Sequence, residues 1–167
     1  MLRRMILAAR LDVEFYETVE ADASYTREAF FVVVIASILS GVGMMLAYGD
    51  AWTKLISGFL FTLFSWVAWS GITLWIGTTL TKGPETKSDM GEMLRVLGYA
   101  HSPQILIVLV FVPVVGSIIA ALATFWSLLA GIVAIRQALD FSTTRALITV
   151  FVGWVVVLLL RIIIAFL

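Results

Sequence analysis

Polar positions divide this chain into an N-terminal stretch of mixed character followed by a series of long apolar runs. Over residues 1–28, four arginines and six carboxylates alternate with apolar side chains, and Leu7, Leu11, Phe15 and Val19 recur at i, i+4. An apolar stripe at that spacing, flanked by charge, predicts an amphipathic helix that lies in the membrane interface or on the protein's own surface. Asp22-Ala23-Ser24 reads as the turn that leads out of it.

From Ala29 the pattern changes. Residues 29–48 contain no charge, and ~20 helical residues at ~1.5 Å each cover the ~30 Å of a bilayer's hydrocarbon core. A second run covers residues 54–80. It lies between the turn signal Gly49-Asp50 and a polar loop, Thr81 to Asp89, whose Gly83-Pro84 pair breaks a helix. The third run, residues 93–112, begins beyond a helix cap supplied by Ser88 or Asp89, with Glu92 in the first turn. Pro103 lies inside it. Proline lacks a backbone donor and disfavours helix at the residue before it, which predicts a kink near His101-Ser102. Pro113 and Gly116 mark a tight turn before the fourth run, residues 114–138. Asp140 to Thr144 form a short loop before the fifth, residues 144–166. The pattern as a whole predicts an all-α, polytopic membrane bundle: an interfacial helix over 1–28, then a five-span domain over 29–167.

Composition sharpens this reading. The chain has 167 residues, 62% of them hydrophobic and 13% charged, with a mean hydropathy of +1.07. A soluble domain of this size could not keep enough polar surface. The formal net charge is zero, so nothing suggests nucleic acid as a partner. Cysteine is absent, which removes disulfides, thiolate metal sites and a Cys nucleophile.

The placement of charge predicts orientation. With the N-terminus in the cytoplasm, Arg3, Arg4, Arg10, Arg27, Lys82, Lys87, Arg95, Arg136 and Arg145 fall inside, and only Lys54 and Arg161 fall outside. That asymmetry follows the positive-inside rule and favours an odd number of spans, with the C-terminus on the opposite side. Lys82, Lys87, Arg95, Arg136 and Arg145 would form a basic cytoplasmic face. Arg3, Arg4 and Arg10, with Trp52 at the outer end of the second span, would mark the membrane interface.

Candidate chemistry is sparse. The apolar runs show no intramembrane carboxylate, and the chain has no HExxH, GxSxG or P-loop pattern, so no catalytic or metal residues are expected and the protein is read as a non-enzyme. His101 is the single histidine. It either holds a pigment or metal-type cofactor or satisfies backbone groups freed by the kink. The second run carries Thr62, Ser65, Trp69, Thr73 and Gly77 on one face, a stripe that lines a permeation path or bonds between helices. Small residues recur at helical spacing: Ser37 and Gly41 in the first run, Ala120, Thr124, Ser127 and Gly131 in the fourth, Thr149 and Gly153 in the fifth. Such positions let helices approach closely, either within one bundle or against another membrane subunit.

Three stretches carry a resemblance. They are FYETVEADASYTREA from Phe15 to Ala29, LRVLGYAHSP from Leu94 to Pro103, and Gly116 to Leu147, where a small-residue helix ends in IRQAL before FSTTRAL. Together they resemble the Yip-one domain family of Rab-interacting membrane proteins and its prokaryotic relatives. The resemblance implies a five-helix domain with a cytoplasmic N-terminus and a non-enzymatic role in membrane organisation. The chain has no long cytoplasmic N-terminal region, so a prokaryotic-type member in a cell inner or plasma membrane is expected, rather than a GTPase partner. The expected function is that of a scaffold or accessory subunit, with bound lipid as ligand and other membrane subunits or copies of itself as partners. The alternatives are a small permease acting through the Ser/Thr face, or a pigment-binding subunit acting through His101.

Overall fold

A computed structural model describes residues 1–49 and 51–165, with side chains throughout except at Ala51, Lys54, Ser57, Phe61 and residues 157–165. Asp50 of the predicted turn, Phe166 at the end of the fifth run, and the side chains of Lys54 and Arg161 used in the charge count lie outside the described residues. The protein is an all-helical bundle. Its α-helices are α1 (Leu2–Ala9), α2 (Val13–Ala21), α3 (Thr26–Tyr48), α4 (Ala51–Thr79), α5 (Met90–Ala100), α6 (Val115–Ala138) and α7 (Thr143–Ala165). A short 3₁₀ turn (Ala23–Tyr25) precedes α3, and a ten-residue 3₁₀ segment (Ser102–Phe111) follows α5.

Among the described residues, three helical stretches are long and apolar enough to cross a membrane: Ala23–Tyr48, Gly58–Thr79 and Val115–Ala138. Met90–Ala100 with Ser102–Phe111 makes a fourth if the pair, bent by 41°, is counted as one span. In α7 the stretch with described side chains, Thr143–Val156, is apolar.

The N-terminal region is two helices rather than one. Leu11 adopts a left-handed φ of 62°, which closes α1, and the Asp12 carboxylate accepts the Phe15 N–H at 2.9 Å to open α2. Aspartate in that role satisfies one of the orphan donors of a helix start. The chain therefore turns at Leu11-Asp12. Phe15, Tyr16 and Val19 are then buried against the bundle, with Leu7 and Leu11 packed partly against the same core. Of the two placements open for this stripe, packing on the protein's own surface is the one seen for α2.

The predicted cap of α5 is a full capping box. Asp89 accepts the Glu92 N–H at 2.9 Å, and Glu92 accepts the Asp89 N–H at 3.1 Å. The helix breaks at His101, one turn after Leu97. Pro103 cannot donate, and two side chains satisfy carbonyls left by the break. Ser102 Oγ donates to Tyr99 O at 2.6 Å, and His101 Nδ1 donates to Leu97 O at 2.8 Å.

A 3₁₀ run of ten residues is long for that geometry. It fits here because the segment lies between α3 and α6 at two glycines. A Cβ at Gly43 would sit 2.7 Å from the carbonyl oxygens of both Ile107 and Val108, and one at Gly116 would strike the carbonyls of Leu109 and Val110. Ser40 Oγ adds a 3.3 Å bond to Gln104 O. Irregular backbone at membrane depth is tolerated where protein surrounds it in this way.

Candidate functional site

The small-residue positions separate into two groups. Ser37 is buried and donates to Val33 O at 2.7 Å. Gly41 meets Leu55, whose Cδ1 would lie 2.7 Å from an added Cβ, so this position joins α3 to α4. Thr149, fully buried, lies 2.7 Å from the Thr81 hydroxyl, and Gly153 packs on the Trp69 ring, joining α7 to α4. Ser127 is buried within the bundle, and Gly131 is half-buried near Leu97. These residues pack the chain against itself. In the N-terminal half of α6, on the flank adjoining this packed face, Ser117, Ala121 and Thr124 are exposed and Ala120 is half-buried, next to the exposed ridge Ile118, Leu122 and Phe125. Thr124 Oγ1 donates to Ala120 O at 2.8 Å, so this face is smooth and carries no free donor.

Thr62 and Thr73 of the predicted stripe, and Ser70 beside them, bond within their own helix. Thr62 donates to Gly58 O at 2.9 Å, Ser70 to Trp66 O at 2.8 Å and Thr73 to Trp69 O at 2.8 Å. Ser70 and Thr73 are fully buried in packed protein. Trp52 is 73% exposed at the start of α4.

Of the five basic residues expected on one face, Arg95 is not at the surface. Arg95 is 7% exposed and turned into α2, where its Nε donates to Val19 O at 3.0 Å and its NH2 to Glu20 O at 2.5 Å. Its charge fastens α2 to α5 instead of standing at the surface. Arg145 lies over Gly83. Arg136 bonds Gln137 Oε1 at 2.8 Å. It makes no ion pair with Asp140, because α6 ends at Ala138 and Asp140 turns away with a φ of 52°. Arg136 and Lys87 line a surface cavity of about 540 Å³ together with Glu85, Asp140, Gln137 and Phe141. Its lining mixes both signs of charge. Lys82 and Lys87 are exposed.

Sequence reasoning missed a polar junction where α1, α2 and α3 meet. Arg4 pairs with Glu28 at 2.5 Å and lies 4.5 Å over the Tyr25 ring. Tyr25 and Phe15 both pack edge-on against Tyr99 of α5. Near the end of α2, where Arg95 is bonded, Glu20 is half-buried. Burial, then the nearby charges of Asp140, Glu92 and Glu17, raise its pKa from the usual 4.5 to about 7, and Arg95 opposes the shift.

The sign of the pH dependence follows. The folded state holds the Glu20 proton more tightly than the unfolded chain. Its contribution to stability is complete below pH 4.5 and is lost as pH rises through about 7. Glu20→Gln should therefore stabilise the protein at pH 8 by on the order of 1 kcal/mol, a figure discounted for half-exposure, and leave it unchanged at pH 4. Thermal unfolding of both proteins at the two pH values checks this. Equal melting temperatures at pH 8 would show that Glu20 ionises freely.

The architecture and the apolar crossings define the class: a polytopic, all-helical integral membrane protein. Within that class the chain belongs to the Yip1 domain family, which it matches over residues 11–165. No curated protein and no solved structure matches it.

Proposed function

We propose that this Yip1 domain protein is a non-enzymatic membrane scaffold or accessory subunit, with its N-terminus in the cytoplasm and five crossings. The observation that carries the reading is the exposed small-residue face of α6. The comparable positions on α3 and α7 are occupied by internal contacts, whereas Ser117, Ala121 and Thr124 are left exposed with their polar capacity satisfied in the helix. In lipid, helix association depends on close van der Waals approach rather than on a hydrophobic force, and a smooth small-residue face permits it. The clustering of Lys and Arg in the segments assigned to the cytoplasm supports the orientation. His101 serves the kink, which supports a structural role over pigment binding.

The test is the composition of the native particle extracted from its own membrane in mild detergent. We expect a particle larger than one 18.4 kDa chain, with partners or further copies in fixed ratio, that dissociates on Ala121→Leu with Thr124→Leu. Both substitutions are on the exposed face, so the isolated chain should keep its melting temperature. A monodisperse single chain from native membranes would sink the proposal.

A further inference from the structure

The geometry points to a binding groove for one acyl chain of an anionic phospholipid, formed between α1, the 3₁₀ segment and α6, with the phosphate held by Arg3 and Arg10. The groove encloses about 480 Å³ and is lined by Leu2, Ile6, Pro103, Leu106, Ala123 and Trp126 among others. That volume falls in the ~300–1,000 Å³ range of small-ligand sites.

Its polar groups are already satisfied. Trp126 Nε1 donates to Ala9 O at 2.5 Å, across 117 residues of sequence, and Ser102 Oγ donates to Tyr99 O at 2.6 Å. A peptide strand would bring backbone donors and acceptors and find nothing here to answer them. A hydrocarbon chain brings none.

Charge complementarity then selects the headgroup. Arg3 and Arg10 are seven residues apart, so at ~100° per residue they lie on the same edge of α1, close beside Ile6. Both are exposed, and neither has a carboxylate partner among the described residues. Arg4, on the other side of α1, is held by Glu28 and by the Tyr25 ring. Two free guanidinium groups on the rim of an apolar slot match a phosphodiester above a hydrocarbon chain. α1 also lies outside residues 11–165, so the groove depends on a segment beyond the matched family domain. The inference does not depend on the partner-binding face of α6.

The experiment is native mass spectrometry of the full chain in a mild detergent, titrated in parallel with phosphatidylglycerol and phosphatidylcholine of the same chain length. We expect a one-to-one adduct that favours phosphatidylglycerol about tenfold. Arg3→Gln with Arg10→Gln should abolish the preference. Leu106→Trp, which fills the groove from its half-exposed rim, should abolish the adduct while the arginines remain. Equal retention of the two lipids, or an adduct that survives either variant unchanged, overturns the inference. An unaltered melting temperature for the arginine variant separates lost binding from lost folding.

Discussion

Gly43→Ala is expected to lower the stability of the purified protein by about 1–3 kcal/mol, the usual range for forcing extra volume into a packed interior. The same substitution at Gly58 should do nothing or stabilise slightly. The contrast comes from what each new methyl group meets. At Gly43 it arrives 2.7 Å from two carbonyl oxygens and 2.8 Å from the Val108 Cα, all backbone of the 3₁₀ segment. Backbone cannot rotate away as a flexible side chain can, so α3 must shift. At Gly58 nothing lies within 4 Å, and alanine is the better helix former by roughly 0.5–1 kcal/mol. Thermal unfolding in one detergent decides the matter. If the two variants melt together, the backbone contact between α3 and the 3₁₀ segment does not exist.

Arg95→Ala should have an effect of similar size but a different character. It removes two bonds from a charged donor to the carbonyls of Val19 and Glu20, each of the kind worth ~1.5–3 kcal/mol. Their sum overstates the loss, because the two share one side chain. We expect about 3 kcal/mol and, more tellingly, release of α2 from the bundle. Limited proteolysis should then cut in residues 10–25, where the native protein should resist. Arg95→Lys should be intermediate, since an ammonium cannot reproduce the planar fork that reaches two carbonyls at once. Arg95→Ala also removes a positive charge that favours the Glu20 anion, whereas Arg95→Lys keeps one, so the pH dependence should move to higher pH in Arg95→Ala and less so in Arg95→Lys. A cleavage pattern identical to that of the native chain would mean α2 is held by its apolar face alone.

The apolar helices were legible because lipid imposes a simple code: a long run without charge. The observed starts and ends of α3, α4 and α6 lie within a few residues of those read from the sequence. The kink at His101-Ser102 was legible because proline's missing donor is a local property. The split of the N-terminal stretch was harder to see. The stripe Leu7, Leu11, Phe15, Val19 is continuous on paper, and only the Asp12 cap interrupts it. Arg95 was read as a surface charge because sequence shows a residue's class and not its neighbours. Its acceptors are backbone carbonyls 75 and 76 residues away, and carbonyls leave no mark in a sequence. The Arg4–Glu28 pair and the Trp126 bond to Ala9 are likewise products of the fold. The two groups of small residues share one spacing, and only packing distinguished those turned inward from those on the free side of α6.

The ten residues from Ser102 to Phe111 have one more property. Wound as a 3₁₀ helix at ~2.0 Å per residue they reach ~20 Å, whereas an α-helix of the same residues would reach ~15 Å. Passing from one winding to the other exchanges hydrogen bonds in place without breaking the chain of them. The 3₁₀ winding thus gives this segment ~5 Å more reach than an α-helix of the same residues would have. Because Gly43 and Gly116 clamp this segment from both sides, any change in its length would slide α3 relative to α6. The segment is in effect a spacer: its winding sets how far apart along the bundle the ends of α5 and α6 lie.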